Sequence, residues 1–394
     1  MTDTFLPAAD WTARADLAAM FAALDPQGEG NSRYVGGAVR DTLLGTGAKD
    51  IDVATQLPPE ETMARLVAAG IKAVPTGLAH GTVTAVLPSG PVEITTLRRD
   101  VSTDGRHATV AFSTDWREDA ARRDFTINAL YADPRTLAVS DWFGGLDDIA
   151  ARRVRFIGDA EQRIREDYLR ILRYFRFQAR FGSRPADAEA EAACAALAPG
   201  MKGLSRERIA AELLNLLGLP DPAPTVARMA QLGVLREVLP EATDDGLAAL
   251  ARLVSTEQRE SVRPDGLRRL AALLPADGEQ AKQTGSRLRL SIPQRKRLAS
   301  AAKRDGDNEP RVLAYRLGRE EAIDRLLLAD RPIAALQGWE APRLPLKGGQ
   351  IVARGVGAGP EVARILCTVE DRWVAEGFPG EDRVMALLDE ALAQ

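Results

Sequence analysis

Strand signals stop near residue 150 of this chain, and that change of pattern constrains the fold more than any other feature of the sequence. Before it, β-rich and helical runs alternate. "RYVGG" reads as a short strand ending in a glycine turn, "AVRDTLLG" as a helix with a glycine stop, and "DIDVAT" as a β-branched strand. "PPEETMARLVAAG" has the proline start, acidic first turn and glycine end of a capped helix. "GTVTAVLPSGPVEITTLR" places two β-rich runs around Pro-Ser-Gly-Pro, the pattern of a hairpin. After it, amphipathic Ala-, Leu-, Arg- and Glu-rich segments run to the C-terminus, among them "ERIAAELLNLL", "APTVARMAQLGVLREVLP", "QRKRLASAAKR" and "GPEVARILCTVEDRWVAEG". The 394 residues exceed what one core holds, so several domains are expected. The pattern predicts an α+β chain, a small mixed α/β head followed by an all-helical remainder.

Composition narrows the function classes. Hydrophobic residues at 45% and charged residues at 27% describe a soluble globular protein. A net charge of -4 gives no global sign of a nucleic-acid binder, but binding is the work of local patches. Cys194 and Cys367 lie far apart without metal-type spacing, which predicts no disulfide partner and a reducing compartment. His80 and His107 are the chain's two histidines, so a His/Cys zinc site or a multi-histidine hydrolase is excluded beyond the first third. No secretory leader and no membrane-spanning run is read, and the expected location is cytoplasmic, with no membrane partner.

The chemistry concentrates between Gly36 and Thr55. In a strand, Asp50 and Asp52 share one face and Ile51 takes the other. Their repulsion is relieved by a divalent cation, and hard carboxylate oxygens suit Mg²⁺, which keeps waters and takes substrate phosphates as further ligands. Glu93, on another predicted strand, is a candidate third carboxylate. Gly36 and Gly37 form a strand-to-helix turn that lets a ligand approach the backbone, and Arg40 one turn later adds charge-assisted hydrogen bonds to phosphate. Taken singly, each feature is also what an ordinary surface pair or structural turn presents. Together they describe a phosphate cradle leading to a metal site.

"GGAVRDTLLG", "DIDVAT", "RRDFTINAL" (122–130), "GGLDDI" (144–149) and "EDYLRILRYFR" (166–176) occur in that order. This succession resembles the bacterial tRNA nucleotidyltransferase / poly(A) polymerase family, the class II CCA-adding enzymes with a polymerase-beta-like nucleotidyltransferase head. The resemblance covers about the first 240 residues closely, including "SRERIAAELLNLL" and "LGVLREVLPE", and returns in "LPLKGGQIVARGVGAGPEVARIL". It implies a catalytic head at 1–148, a helical neck with a base-recognition helix at 149–215, an RNA-binding helical body at 216–330 and a tRNA-binding helical tail at 331–394. It further implies template-independent addition of C, C and A to tRNA from CTP and ATP, with Mg²⁺ held by Asp50 and Asp52. Within "EDYLRILRYFR", helical spacing puts Tyr168, Ile171, Leu172 and Phe175 on an apolar stripe, with Glu166, Arg170 and Arg173 opposite and Asp167 at one edge. On spacing alone Glu166 and Asp167 are both positioned to pair with Arg170. The resemblance instead implies that Asp167 and Arg170 read the base, while Arg173 and Arg176 serve the nucleotide site and Arg123 meets the triphosphate. "RRDFTINAL" reads as the start of an amphipathic helix with Phe125, Ile127 and Leu130 inward. The polar stretch 101–120, with His107 as a loop residue rather than a metal ligand, looks like the family's loop for switching from C to A addition.

Two basic stretches suit RNA phosphates: 151–180 holds nine Arg against four acids, and 285–304 holds seven Lys or Arg and no acid. Aromatic residues are scarce in the C-terminal half, which favours grip on a duplex backbone such as a tRNA acceptor arm over base stacking. "GVGAGP" (355–360) follows no clear strand and reads as a helix–turn–helix rather than a dinucleotide fold. No histidine follows His107, so the phosphohydrolase domain of some relatives is not expected. Three other activities share these motifs in part: poly(A) synthesis, CC-only or A-only addition, and RNA binding by an inactive head. The loop at 101–120 argues for both addition steps, and retention of Asp50 and Asp52 argues for an active enzyme.

Overall fold

The computed structural model describes residues 4–48, 50–104 and 107–393. Helix α1 (Ala15–Leu24) leads to β1 (Ser32–Val35), α2 (Gly37–Leu43), β2 (Asp52–Thr55) and α3 (Pro59–Ala68). Strands β3 (Lys72–Gly77), β4 (Thr82–Leu87) and β5 (Gly90–Thr96) follow, then β6 (Arg98–Asp104), β7 (His107–Phe112), α4 (Trp116–Ala121), β8 (Leu130–Ala132) and β9 (Val139–Asp141). Seven strands form one mixed sheet in the order β3-β4-β5-β2-β1-β8-β9. β2 and β5 run parallel, with α3, β3 and β4 supplying the crossover a parallel pair needs. Leu17, Met20, Phe21 and Leu24 of α1 and Leu66 of α3 pack with Val53, Val83, Ala85, Val92 and Ile94 of the sheet. Each of these buried side chains larger than alanine contributes roughly 1.5–3 kcal/mol. The paired "GTVTAVL" and "GPVEITT" runs form the expected hairpin, with Leu87 opposite Gly90.

Helices follow in succession: α5 (Gly145–Ala150), α6 (Ala160–Glu166), α7 (Leu169–Phe181), α8 (Ala188–Leu197), α9 (Arg206–Leu217), α10 (Ala223–Gln231), α11 (Val234–Val238), α12 (Asp244–Arg259), α13 (Gly266–Leu273), α14 (Gly278–Arg287), α15 (Ile292–Ala302), α16 (Pro310–Leu317), α17 (Arg319–Leu328), α18 (Gly348–Val352), α19 (Pro360–Ala375) and α20 (Glu381–Leu392). Two compact units emerge, one of residues 1–212 with 228–238, the other of 213–227 with 239–394. In the second, Trp373 lies in a core with Ile351, Ile365, Val369, Leu387 and Leu388. A buried ionic network precedes it in sequence: Arg268 bonds Glu257 and Asp324, Arg269 bonds Glu257, and Arg297 bonds Asp324 and Asp265. No helix among the described residues is long and apolar enough to cross a membrane.

Three local expectations are corrected. "RRDFTINAL" is not a helix: a single 3-10 turn, Thr126–Asn128, leads directly into β8. Phe125, Ile127 and Leu130 are buried as expected. Yet the Gly145 backbone lies so close to Thr126 that a Cβ there would sit 2.4 Å from its carbonyl oxygen, and β8 pairs with β1 through Val35 and Tyr131. Tertiary pairing outweighs helical spacing here. The stretch 101–120 is not a plain loop: β6 and β7 pair antiparallel from Arg98–Phe112 to Asp104–His107, and α4 follows. Thr109, Val110 and Phe112 of "HATVAF" are strand-favouring residue types that the surrounding Gly and polar content masked. The expectation about the His107 side chain falls outside the described residues. Finally, "EDYLRILRYFR" is broken at Asp167, whose φ of -155° and ψ of 105° are extended. Its carboxylate takes the Leu169 N–H at 3.1 Å, satisfying a donor at the start of α7.

Candidate nucleotide-transfer site

Gly36 ends β1 with φ 65° and ψ -119°, a conformation that strains any residue with a Cβ. Its N–H donates to Leu130 O at 3.1 Å, and its own carbonyl starts α2 by accepting from Arg40 N–H at 3.0 Å. Gly37 is the first residue of α2, and a Cβ there would meet Arg40 at an ordinary 3.7 Å. The turn faces a cleft of about 370 Å³ lined by Gly36, Gly37, Arg40, Asp52, Arg122, Arg123, Asp124, Asn128, Asp167, Arg170, Arg173 and Phe177. Eight expected residues therefore meet in one place: Gly36, Gly37, Arg40, Asp52, Arg123, Asp167, Arg170 and Arg173.

Asp52 opens β2, with Glu93 of β5 as its direct partner in parallel register. Direct partners on adjacent strands share a face about 4.8 Å apart. The expectation that Asp50 and Asp52 share one face of a strand is corrected: β2 begins only at Asp52, Asp50 is exposed in the bend before it, Ile51 is buried in the core, and Glu93 is exposed. Burial pushes the Asp52 carboxyl above the usual carboxylate range, Glu93 and Asp50 push it further, and Arg123 pulls against them. Asp50 and Glu93 are near Asp52 without lining the cleft. Among the described residues no three acidic, cysteine or histidine side chains close into a ready metal cage. This donor set fits a hard divalent cation that completes its shell with waters and phosphate oxygens, since repelling carboxylates without a counterion are what such an ion relieves.

The arginines of "RRDFTINAL" hang on one buried carboxylate. Asp119 of α4 accepts from Arg122 Nε at 2.8 Å, Arg123 Nη2 at 3.2 Å, Tyr131 OH at 2.6 Å and the Arg98 backbone N–H at 3.2 Å. Burial would raise the Asp119 carboxyl, but Arg123, Arg122 and Tyr131 more than offset it and hold the group below its ordinary value. Arg123 also donates from Nε to Tyr131 OH at 3.0 Å, which leaves Nη1 beside Gly36. Arg40 is buried in the wall: Nε bonds Asp41 at 2.8 Å, Nη1 bonds Asn128, and the guanidinium lies 4.3 Å over the Phe181 ring.

On the opposite side, Asp167 and Arg170 do not pair with one another. Asp167 Oδ2 accepts from Arg208 Nη2 at 2.6 Å, and Arg170 Nη1 bonds Glu166 and the Arg163 carbonyl. The Glu166–Arg170 pairing allowed by spacing forms; the Asp167–Arg170 one is replaced by Arg208, 41 residues on. Arg173 clamps Asp124 with Nε and Nη2 at 2.9 and 2.6 Å. Arg176 does not line the cleft; it bonds Glu212 at 2.6 Å and covers the Phe177 ring at 4.8 Å. Sequence reasoning missed Arg122, Asp124, Asn128 and Phe177 as cleft residues, although the first three stand in a motif already singled out and Phe177 directly follows another. Asp124 and Asn128, four apart and both polar within an apolar run, were the available signal.

Of the basic stretch 285–304, Arg287 pairs with Glu241, Arg297 with Asp324, and Arg304 caps the carbonyls of Ala271, Ala272 and Leu274. Arg295, Lys296 and Lys303 instead line a groove of about 500 Å³ with Lys282 and the exposed Ile292.

Comparison with known proteins finds the family described as "Poly A polymerase head domain" over residues 32–155, and "Probable RNA and SrmB- binding site of polymerase A" over 187–245. The chain is 36% identical over 371 residues to CCA tRNA nucleotidyltransferase 1, mitochondrial, of Mus musculus, spanning 88% of this chain and 83% of that protein. It is 38% identical over 203 residues to the CCA-adding enzyme of Geobacillus stearothermophilus, spanning 51% of this chain and 49% of that one. The crystal structure of the Bacillus stearothermophilus CCA-adding enzyme in complex with CTP is similar with a TM-score of 0.75 at 26% identity, covering 96% of this chain and 97% of that one.

Proposed function

The chain belongs to the CCA tRNA nucleotidyltransferase family, and from that premise we propose how its own residues add C, C and A to the 3′ end of tRNA from CTP and ATP, releasing pyrophosphate. The observation that carries the reading is a single cleft shared by Asp52, the Gly36–Gly37 turn, Asp167 and the expected arginines Arg40, Arg123, Arg170 and Arg173. Asp50 and Asp52 would hold the divalent cation, Mg²⁺ in our reading, which supplies charge neutralisation for in-line attack of the RNA 3′-hydroxyl on the α-phosphate. Glu93 reinforces the negative field at Asp52.

Gly36 and Gly37 let the triphosphate approach the backbone, and Arg123 Nη1 beside Gly36 donates to it. Arg40 lends positive charge from within the wall rather than a free fork, because its guanidinium is already bonded to Asp41 and Asn128. Asp167 accepts from the exocyclic amine that cytosine and adenine share, and Arg170 donates to the neighbouring ring nitrogen or carbonyl. Each carboxylate oxygen has two lone pairs, so Asp167 can keep Arg208 and still take the amine. Uracil and guanine present a carbonyl there, against a carboxylate with no proton between them, and are rejected through unpaired buried polar groups. Arg173 faces the cleft, while Arg176 acts by packing on Phe177. A reducing, cytoplasmic setting suits the free thiols of Cys194 and Cys367.

The test offers tRNA ending at the discriminator base with CTP and ATP, singly and together, and sequences the 3′ ends. Ends in CCA are expected. Long A tails would reassign the enzyme to poly(A) synthesis, ends in CC or single A to partial addition, and no extension would sink the reading.

A further inference from the structure

A closed polar circuit runs along the cleft wall, and the chemistry above gives no role to the amide at its middle, Asn128. Arg180 of α7 donates to Asp41 Oδ2 at 3.2 Å. Asp41 Oδ1 accepts from Arg40 Nε, Arg40 Nη1 donates to Asn128 Oδ1, and Asn128 Nδ2 donates to Asp124 Oδ1 at 2.9 Å. Asp124 Oδ2 then takes both donors of Arg173, back on α7. Base-reading helix and glycine-turn helix are thus joined twice, directly by Arg180 on Asp41 and, nearer the turn, through one neutral side chain, Asn128, which is 8% exposed.

That position needs an acceptor toward a cation and a donor toward an anion. A reversed amide would set NH₂ against guanidinium and carbonyl against carboxylate, so the two partners fix its orientation. Leucine matches the shape but leaves Arg40 and Asp124 each short of a partner. Glutamine keeps both groups but displaces them by a methylene. We propose that Asn128 is a positioning residue for base selection: it holds the turn that takes the triphosphate in register with α7, so that a base is judged by Asp167 and Arg170 from a fixed distance. The proposal rests on the reading of Asp167 and Arg170 given above.

The experiment measures kcat and KM for CTP and UTP on tRNA ending at the discriminator base, in wild type, Asn128→Leu, Arg173→Ala and the double variant. The CTP-over-UTP preference of Asn128→Leu should fall about tenfold, the size of one charge-assisted hydrogen bond. The fall should come from faster UTP insertion, with KM for CTP changed little. Arg173→Ala should add little further loss on the Asn128→Leu background, because both cut the same circuit. Leu17→Ala, a core truncation, controls for stability alone. Unchanged preference, additive losses, or a preference that merely follows the melting temperature through Leu17→Ala would overturn the proposal. If Asn128→Leu does not fold, Asn128→Gln takes its place, with the same readout and the same outcomes deciding for or against. Wild type that fails to add CCA sinks the parent reading; wild type that adds CCA beside variants with intact selection sinks this inference alone.

Discussion

Asp52 and Asp119 sit in the same unit and titrate in opposite senses. The Asp52 carboxyl is raised by burial and by its acidic neighbours. The unfolded chain therefore gives up this proton more readily than the folded one, and folding loses stability as pH climbs through the carboxylate range, a loss that persists at neutral pH. Asp52→Asn should melt higher than wild type at pH 7 while incorporating no nucleotide, and Mg²⁺ should raise the melting temperature of wild type but not of the variant. A lower melting point would assign Asp52 an ordinary structural role. Asp119 is held low by its arginines. Its contribution is present at neutral pH and disappears as pH falls through that depressed value. Urea unfolding of wild type and Asp119→Asn should differ at pH 7 and converge in acid, and the variant should show a raised KM for both CTP and ATP because Arg122 and Arg123 lose their anchor. A gap that stays constant with pH would refute the assignment.

At the level of elements, the break at Asp167 divides what its spacing suggested was one helix. Asp167→Ala should cost about 1 kcal/mol through the lost Leu169 N–H bond and should blur C/A selection over U/G more than it weakens triphosphate binding; equal losses in both would make the residue a cap and nothing more. The glycine turn, β2 from Asp52 onward, the β4–β5 hairpin and the C-terminal helices were legible because each carries its own local code, whether spacing, caps or turn residues. "RRDFTINAL" was not, because Phe125, Ile127 and Leu130 satisfy a helical stripe while the segment's fate is decided by β1 and by the bare backbone of Gly145. In the site, the glycines, Asp52 and the arginines could be named from type and spacing. Their partners could not: Arg208 for Asp167, Asp119 for Arg123 and Asn128 for Arg40 lie 41, 4 and 88 residues away, and local spacing alone does not say which of several acids a given arginine will choose.

For the whole molecule, charge that looks uniform in sequence has two fates. Within 285–304, Arg297 is built into a network of carboxylates, whereas Lys296 and Lys303 join Lys282 along the α14–α15 groove. Replacing Lys282, Lys296 and Lys303 by Gln should weaken tRNA binding and flatten its dependence on salt by about one logarithmic unit for each phosphate no longer neutralised, with turnover at saturating tRNA intact. Arg297→Ala should instead destabilise the fold by about 2 kcal/mol, since it leaves the buried Asp324 with Arg268 as its remaining ion-pair partner and takes a partner from Asp265. An unchanged salt slope in the triple variant would remove the groove from the RNA path. The parallel pairing of Asp52 with Glu93 carries a lesson about insertions and deletions. The Pro88–Ser89 corner, a two-residue turn between Leu87 and Gly90, can lengthen without changing the pairing of Asp52 with Glu93. Losing one residue inside β5 is different in kind, because it would present Val92 or Ile94 where Glu93 stood. Lineages and libraries of this enzyme should therefore tolerate insertions at that corner and show no insertion or deletion within either strand.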